Sequence, residues 1–407
     1  MAIRIALHHE TVYRFDRDVS LAPHMIRLRP APHCRTAITG YSLTVEPAGH
    51  FLNWQQDPQG NQVARVVFPK QTRALVLRVD LVAELVAINA FDFFLEPDAE
   101  RFPVGYDSIL AAELAPYLAT LPGPAPLLDG FVAEFRQTAL RSAGDVPRTI
   151  DVLVALNRAV KERVGYVIRL EPGVQAPDET LALGRGSCRD SAWLLVHAAR
   201  RCGLAARFCS GYLVQLAPDV APLEGPVGPS EDFTDLHAWA EIFLPGAGWV
   251  GLDPTSGLLT AEGHIPLAST PDPWSAAPVS GAVDPCRTEF EFRMRVERLA
   301  ESPRTTRPFS DEQWSRIDAV GHAVDAALGE AGARLTTGGE PTFVSIDDFD
   351  HAQWNTTALG AEKRGKAGVL ARRLLDRLAP GGALVEEQGK WYPGEPLPRW
   401  AIDIVWR

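Results

Sequence analysis

The sequence predicts an α+β protein that is built from more than one domain. Its 407 residues exceed what one ordinary hydrophobic core organises, so two or three domains are expected. The first part of the chain alternates apolar and polar side chains, which is the two-residue period of β-strands. Further along, the apolar period lengthens to three and four residues, which is typical of amphipathic helices, and more strand patterns follow those helices.

Residues 1–96 are predicted to form an N-terminal β-sandwich. Ile3, Ile5 and Leu7 alternate with polar neighbours at the start of the chain. Further strand candidates, separated by turn signals such as Asp57–Asn61, lie at Tyr41–Val45, Val63–Phe68 and Ala74–Ile88. Several short strands joined by turns are typical of a sandwich. No acid, base and nucleophile cluster in this region, so we expect a packing or recognition role for it.

Residues 97–270 are predicted to form a second domain of helices followed by strands. Three helical patterns lie at about 107–120, 127–142 and 149–164. The last of them carries one apolar stripe, formed by Leu153, Leu156, Val160 and Val164. An irregular stretch rich in Gly and Pro, 165–187, precedes another helix that begins around Cys188. Strand patterns then follow at 206–216, 236–244 and 248–253.

The remainder of the chain is predicted to contain a linker, a helix and a third segment. The stretch Pro266–Pro285 is rich in Pro and Ala, a composition typical of linkers, and a helix is expected from about 310. We therefore interpret 271–330 as linker and helix, and 331–407 as a partial α/β segment. Because the chain stops at Arg407 without a tail, we expect this segment to be truncated.

Composition and charge exclude several classes of function. The chain has 40 Lys and Arg against 51 Asp and Glu, and its formal net charge is −11. A nucleic-acid binder depends on the opposite balance, because it must neutralise phosphates. No apolar run approaches the roughly 18 residues that a membrane span needs, and the alternating N-terminus is unlike a signal peptide. We therefore expect a cytoplasmic protein whose partners include neither nucleic acid nor membrane.

The cysteines predict neither a disulfide framework nor a zinc site. They are odd in number and scattered over the chain, at Cys34, Cys188, Cys202, Cys209 and Cys286. No CxxC pair is present, so a structural zinc site is not expected. The sequence thus indicates reduced thiols and no bound metal.

Cys188 carries the strongest chemical signal in the sequence. Two glycines before it allow a tight turn, Ser187 is a suitable N-cap, and an apolar helical stripe follows at Ala192, Leu195, Val196 and Ala199. In the first turn of a helix, free backbone N–H groups and the helix dipole stabilise a thiolate, which is the nucleophilic form. Position alone leaves open whether Cys188 is reactive or inert, whereas Cys202 and Cys209 are expected to be inert.

A nucleophilic cysteine requires a base, and the base requires a carboxylate that orients it. His237, in an alternating strand pattern, and Asp253, which ends the next strand before a proline, are the candidates. Two residues that meet across a hairpin must share a sheet face. A four-residue loop would send them to opposite faces, whereas a three-residue loop or one bulge would pair Trp239 with Asp253 and place His237 diagonal to it.

These segments resemble the transglutaminase-like superfamily. The resemblance covers about 165–260 and rests on GSCRDSAWLL at the cysteine, GLAAR leading into GY, HAW at the histidine, and GW followed by DPT. It implies a papain-like catalytic domain over 97–270, with Cys188 as nucleophile, His237 as general base and acid, and Asp253 orienting the imidazole. The β-rich first domain also resembles the N-terminal region of bacterial members.

The resemblance implies a cysteine hydrolase or acyltransferase that acts through a thioester on an amide, peptide or isopeptide bond. The implied partner is a peptide-like or protein substrate, and no cofactor is implied for this domain. Trp193, Trp239 and Asp190 are candidates for lining the substrate cleft. Alternatively, both tryptophans belong to the hydrophobic core, and Asp190 supports the active-site residues from behind. Two alternatives stay open: a protein-glutamine cross-linking transglutaminase, and a non-catalytic peptide-binding module that supports a fused ligase.

The C-terminal segment resembles the opening of a bacterial amidoligase family. The motifs are LTTGGEPTFVS from Leu335, WNTTALG from Trp354 and GKWYPGEPLPRW from Gly389. For a complete domain the resemblance implies an ATP- and Mg-dependent ligase in which acidic residues such as Glu340 hold metal. Because 331–407 matches only the start of such a domain, we expect no ligase activity from this segment by itself.

Overall fold

The computed structural model of the protein describes residues 2–141, 146–218, 228–301, 309–331, 335–338, 342–345, 351–355, 360–389 and 400–406. The chain forms two compact units, Met1–Arg304 and Thr305–Arg407. Glu340 and most of the motif that begins at Gly389 lie outside the described residues. The described strands and helices give the α+β fold that the sequence predicts.

The N-terminal β-sandwich is confirmed. Its first six strands are β1 (Ala2–Val19), β2 (His24–Ile26), β3 (Ala37–Glu46), β4 (Phe51–Gln56), β5 (Gln62–Val67) and β6 (Thr72–Val86). Strands β1, β6 and β3 pair antiparallel in one sheet, and β2, β5 and β4 pair in a second. Every second side chain of β1 and β6 points inward, which buries residues such as Ile5, Leu7, Leu75 and Leu77 in one core.

The rest of the first unit contains the helices, a five-stranded sheet and a short two-stranded parallel sheet. After a short 3₁₀ helix (Pro97–Ala99), the helices are α1 (Ser108–Glu113), α2 (Ala115–Leu118), α3 (Pro126–Arg141), α4 (Thr149–Arg163), α5 (Pro177–Leu183) and α6 (Cys188–Arg201). The strands are β7 (Gly165–Tyr166), β8 (Arg185–Gly186), β9 (Ala206–Gln215), β10 (Phe233–Leu244), β11 (Gly248–Asp253), β12 (Leu258–Leu259) and β13 (His264–Thr270).

The five-stranded sheet has the strand order β12-β11-β10-β9-β13, and α6 packs on β9 and β10. The apolar stripe of α6, which includes Ala192 and Leu195, shares a core with Ala238, Ala240 and Ile242 of β10. The small alanines let the helix approach the sheet closely. As a result, the N-terminus of α6 and the edge of the hairpin β10–β11 are held in one rigid layer.

The segment after residue 270 differs from the linker that the sequence predicts. Strand β14 (Val279–Ser280) pairs with β2, and β15 (Thr288–Glu301) pairs with β1. These two strands complete the sandwich, whose sheets have the orders β15-β1-β6-β3 and β14-β2-β5-β4. Met294 and Val296 of β15 pack against the sandwich core. The partner of β15 lies at the opposite end of this unit, so no local pattern indicates the pairing.

The second unit contains α7 (Asp311–Glu330), β16 (Leu335–Gly338), β17 (Thr342–Ser345), α8 (Ala352–Asn355), α9 (Ala361–Leu378), β18 (Ala383–Gln388) and β19 (Trp400–Val405). Helix α7 confirms the helix expected from about 310, and the Ser310 hydroxyl caps it by accepting from Gln313 N–H at 3.2 Å. Strands β16 and β17 form one antiparallel pair, and β18 and β19 form another. Within the described residues, no helix has the length and apolar character needed to cross a membrane.

Candidate active site

Cys188 is the first residue of α6, as the sequence predicts. Helix α5 ends at Gly184, whose φ of +60° is the left-handed C-cap conformation that favours glycine. The chain then turns so that Ser187, in an extended conformation, is the N-cap of α6. The Cys188 thiol is free and partly exposed. Because N–H groups in the first turn of a helix lack intrahelical acceptors, this position offers donors to an anion.

His237 and Asp253 are brought together by the hairpin of β10 and β11. Leu244 pairs with Gly248, which leaves a loop of three residues. A three-residue loop is what places both side chains on one face of the sheet. If the pairing of β10 with β11 is continued, Trp239 lies opposite Asp253 and His237 lies diagonal to it. His237 Nε2 lies 3.2 Å from Asp253 Oδ1, although the ring is not aligned for a full hydrogen bond.

The turn after β11 holds the Asp253 carboxylate in place. The Thr255 N–H donates to Asp253 Oδ1 at 2.9 Å. Asn157 of α4 is fully buried, and its Nδ2 donates to the backbone oxygens of Asp253 at 3.3 Å and Leu258 at 3.0 Å. The backbone of this turn is therefore fixed to α4, and one carboxylate oxygen is kept directed toward His237.

Burial and pairing oppose each other in setting the pKa values of this site. Burial alone would lower the pKa of His237, but the Asp253 carboxylate and the Cys188 sulfur outweigh it and raise that pKa to about 10. Burial alone would raise the pKa of Asp253, but the neighbouring imidazoles of His237 and His264 hold it well below its usual value. A pKa raised to about 10 favours the protonated form of the His237 imidazole at neutral pH.

The raised pKa of His237 makes the stability of the fold depend on pH. Since the folded protein binds this proton more tightly than an ordinary histidine with a pKa of 6.5, the contribution is fully present below pH 6.5. It is lost as the pH rises through about 10. Urea denaturation of wild type and His237→Gln should therefore give free energies of unfolding that converge between pH 7 and 10. A gap that stays constant over this range would contradict the assigned protonation.

Asp190 does not line the cleft, which corrects that part of the prediction. It is fully buried, and its carboxylate accepts from the Ser187 N–H at 2.8 Å and the Ser187 hydroxyl at 2.7 Å. Arg169 Nε and Nη2 donate at 3.0 and 3.1 Å, and Gln175 N–H donates at 2.8 Å. Burial would raise the pKa of Asp190, but these donors outweigh it and lower the pKa. Asp190 thus ties the first turn of α6 to the preceding segment, the supporting role also considered from sequence.

The two candidate tryptophans are buried, although Trp239 is among the residues around a cavity that His264 also lines. Trp193 is 8% exposed, belongs to the apolar core and meets His197 edge-on. Trp239 is 1% exposed, and its ring lies 6.4 Å from that of His237, centroid to centroid. Its Nε1 donates to Glu241 Oε1 at 3.2 Å. Trp239 therefore backs the His237 ring, which is the core interpretation of this residue.

His264 is a member of the site that the sequence did not indicate. Its Nε2 lies 3.6 Å from Asp253 Oδ2, and its ring packs edge-on against Trp239 at 5.2 Å. His237, Asp253 and His264 are the one group in the described part of the chain whose ligand atoms, all within 4.8 Å of one another, could hold a metal ion. No spacing signal precedes His264, because β13 reaches the site by pairing with β9 on the far side of the sheet.

Family models match three consecutive parts of the chain. The model of the bacterial transglutaminase-like N-terminal region matches residues 5–84, and that of the transglutaminase-like superfamily matches residues 136–254. The model of a family described as "putative amidoligase enzyme" matches residues 284–407. The chain is therefore similar to the N-terminal region and the core of the transglutaminase-like superfamily, and then to the amidoligase family, which are the resemblances that the motifs indicate.

The chain is also similar to individual proteins of known sequence or structure. The chain is 25% identical over 297 residues to uncharacterized proteins of Mycobacterium bovis and Mycobacterium tuberculosis, with 69% of this chain and 87% of each relative covered. A crystal structure described as a "putative cysteine protease" from Cytophaga hutchinsonii matches with a TM-score of 0.54 and 18% identity. That match covers 77% of this chain and 95% of the other, and at this identity it shows a shared fold alone.

Proposed function

We propose that the protein is a transglutaminase-like cysteine hydrolase that acts on an amide, peptide or isopeptide bond of a peptide-like substrate. The observation that carries the proposal is the position of His237, whose Nε2 lies 3.2 Å from Asp253 Oδ1 and whose pKa is raised by both the Asp253 carboxylate and the Cys188 sulfur. The partly exposed thiol at the start of α6 supports it as well, because it gives substrate access to the nucleophile. The superfamily match over residues 136–254 spans all three residues.

In the first step the Cys188 thiolate attacks the carbonyl carbon of the substrate. A carbon–sulfur bond forms, and the carbonyl oxygen becomes an oxyanion that the N–H groups of the first turn of α6 can receive. His237 then gives its proton to the nitrogen, the carbon–nitrogen bond breaks, and the amine leaves. The product of this step is a thioester between the acyl group and Cys188.

In the second step water resolves the thioester. The now neutral His237 takes a proton from a water molecule as its oxygen attacks the acyl carbon. The carbon–sulfur bond breaks, a carboxylic acid is released, and the thiolate–imidazolium pair is restored. Asp253 keeps the imidazole oriented in both steps. We favour water over an amine as acceptor because no sequence motif marks an amine acceptor site.

The proposal predicts that iodoacetamide labels Cys188 faster than the other partly exposed cysteines, Cys34 and Cys286, near neutral pH. His237→Ala should remove this difference, because the thiolate loses its counter-ion. Peptide mapping by mass spectrometry measures the labelling rate at each cysteine. Incubation with a panel of peptide amides followed by acid quenching should also yield a thioester adduct on the Cys188 peptide.

The acceptor is tested by adding a small primary amine to the same reactions. Release of free acid at an unchanged rate supports hydrolysis, whereas incorporation of the amine into the product indicates the cross-linking alternative. Equal labelling of Cys188 and Cys286 in wild type, with no adduct, would reject catalysis and leave the peptide-binding alternative.

A further inference from the structure

The Asp253 carboxylate is unevenly supplied with hydrogen-bond donors. Its Oδ1 accepts from Thr255 N–H at 2.9 Å and faces His237 Nε2 at 3.2 Å. Within the described residues, its Oδ2 faces a single donor, His264 Nε2 at 3.6 Å. Asp253 is 2% exposed, and a buried carboxylate needs a donor for each oxygen to offset the loss of water. Whether Oδ2 receives a hydrogen bond therefore depends on whether His264 Nε2 carries a proton.

The other ring nitrogen of His264 determines where its proton sits. The Ala261 N–H donates to His264 Nδ1 at 3.2 Å, so Nδ1 uses its lone pair as an acceptor and carries no proton. The proton of a neutral ring must then be on Nε2. That atom is shielded from solvent and has no hydrogen-bond partner at its present distance. Asp253 Oδ2 lies 3.6 Å from this nitrogen, and a shift of a few tenths of an ångström completes the bond.

We propose that His264 is a positioning residue of the active site, which donates its Nε2–H to Asp253 Oδ2 and thereby keeps Oδ1 turned toward His237. The inference rests on the proposed function of Cys188, His237 and Asp253, and it adds a second imidazole to that set. Without this donor, only the Thr255 N–H holds the carboxylate, which then turns more readily about its Cβ–Cγ bond and orients His237 less well beside Cys188.

The packing around His264 suits a positioning role. Trp239 meets the His264 ring edge-on at 5.2 Å and also stacks obliquely beside His237 at 6.4 Å, so one indole backs both imidazoles. Gly211 makes room for this indole, since a Cβ there would lie 2.3 Å from the Trp239 ring and 2.4 Å from Ile265 O. The ring of His264 is thus held between the indole and the carboxylate.

The same three side chains would also suit a divalent metal ion, and the proton on His264 separates the two possibilities. A metal ligand offers a bare Nε2 lone pair, and its Nδ1–H then donates to an oxygen. Here Nδ1 accepts from the Ala261 N–H, so it is the unprotonated nitrogen. The geometry therefore favours a hydrogen bond from Nε2 to Asp253 over coordination of a metal.

The test uses two substitutions that each retain one nitrogen position of the ring. His264→Gln places an amide N–H near the position of Nε2 and keeps the donor to Asp253. His264→Asn places an amide oxygen near the position of Nδ1 and keeps the acceptor for Ala261 N–H. The readout is the rate at which iodoacetamide labels Cys188 at pH 7 in the full chain. We expect His264→Asn to slow labelling about tenfold and His264→Gln to stay within about threefold of wild type.

Each outcome decides the matter. Equal rates in wild type and His264→Asn would overturn the inference, and a slower rate in His264→Gln than in His264→Asn would assign His264 to the turn at Ala261 instead. Faster labelling of wild type after EDTA treatment would assign the three residues to a metal. If wild-type Cys188 reacts no faster than Cys286, the proposed function itself fails, which is a different result from fast labelling that His264→Asn leaves unchanged.

Discussion

Replacement of Cys188 by alanine is expected to abolish release of amine from a peptide-amide substrate. Removal of the nucleophile of a comparable triad costs at least about 10⁴-fold in turnover, because water bound in the cleft is a poor substitute for a thiolate. Binding of the substrate should persist, since the first turn of α6 and its N–H groups are unchanged. Turnover is measured by amine release, and binding by calorimetry with the same substrate.

The matched control is Cys286→Ala. Cys286 is also a free and partly exposed cysteine, but it lies beside Thr288 in the sandwich rather than at a helix start. Its replacement should leave turnover unchanged. If Cys188→Ala kept full turnover while His237→Ala was inactive, the nucleophile would have to be a group other than Cys188. An unfolded Cys188→Ala protein is not expected, because the side chain lost is small and reaches solvent.

Replacement of Asp190 by alanine is expected to lower the free energy of unfolding by about 3–5 kcal/mol. The carboxylate is 0% exposed and accepts five hydrogen bonds, from Ser187, Arg169 and Gln175. Its loss leaves the guanidinium of Arg169, whose side chain is only 18% exposed, without its carboxylate. It also frees the start of α6, so labelling of Cys188 should slow as well. Urea denaturation followed by circular dichroism measures the first effect.

The matched control is Asp129→Ala, which removes the carboxylate of an exposed ion pair. Asp129 Oδ1 lies 3.0 Å from Arg201 Nη1, and its side chain is 53% exposed. An exposed pair of this kind contributes about 0–1 kcal/mol, because water and salt screen it. If Asp190→Ala destabilises the protein no more than Asp129→Ala does, the buried network has little importance for stability. A double replacement of Arg169 and Asp190 should cost less than the sum of the two single replacements.

Much of the candidate site is a local property of the chain and could be predicted from the sequence. The start of α6 at Cys188 follows from the glycines and Ser187 before it and from the apolar stripe after it. His237 and Asp253 meet because the hairpin that carries them has a three-residue loop. This is one of the two loop lengths that we considered from the sequence. Both features depend on residues that are close in the sequence. The period of the apolar side chains, two residues in a strand and three to four in a helix, is therefore enough to predict them.

The sequence left the positions of Asp190 and Trp239 open between cleft and support, and it did not indicate His264, because the surroundings of these residues are not local. Asp190 and Trp239 lie within two residues of reactive groups, which made an exposed cleft position plausible, yet the fold buries both. His264 lies on β13, which pairs with β9 and not with the strand of Asp253, so no hairpin pattern places the two side chains together. Strand β15 has an alternating pattern, but the Pro- and Ala-rich stretch before it predicts a linker. Only the pairing of β15 with β1, at the other end of the unit, shows that it belongs to the sandwich.

The amino-acid sequence by itself determined the class of fold, the helix that presents the thiol and the hairpin that carries imidazole and carboxylate. Each depends on side-chain periodicity, turn chemistry and caps, which act over a few residues. Only the tertiary structure decided which polar groups are buried and which donors they meet, including the second imidazole at Asp253. Those contacts join segments far apart in the chain, and their energy depends on the exclusion of water, which no local pattern records.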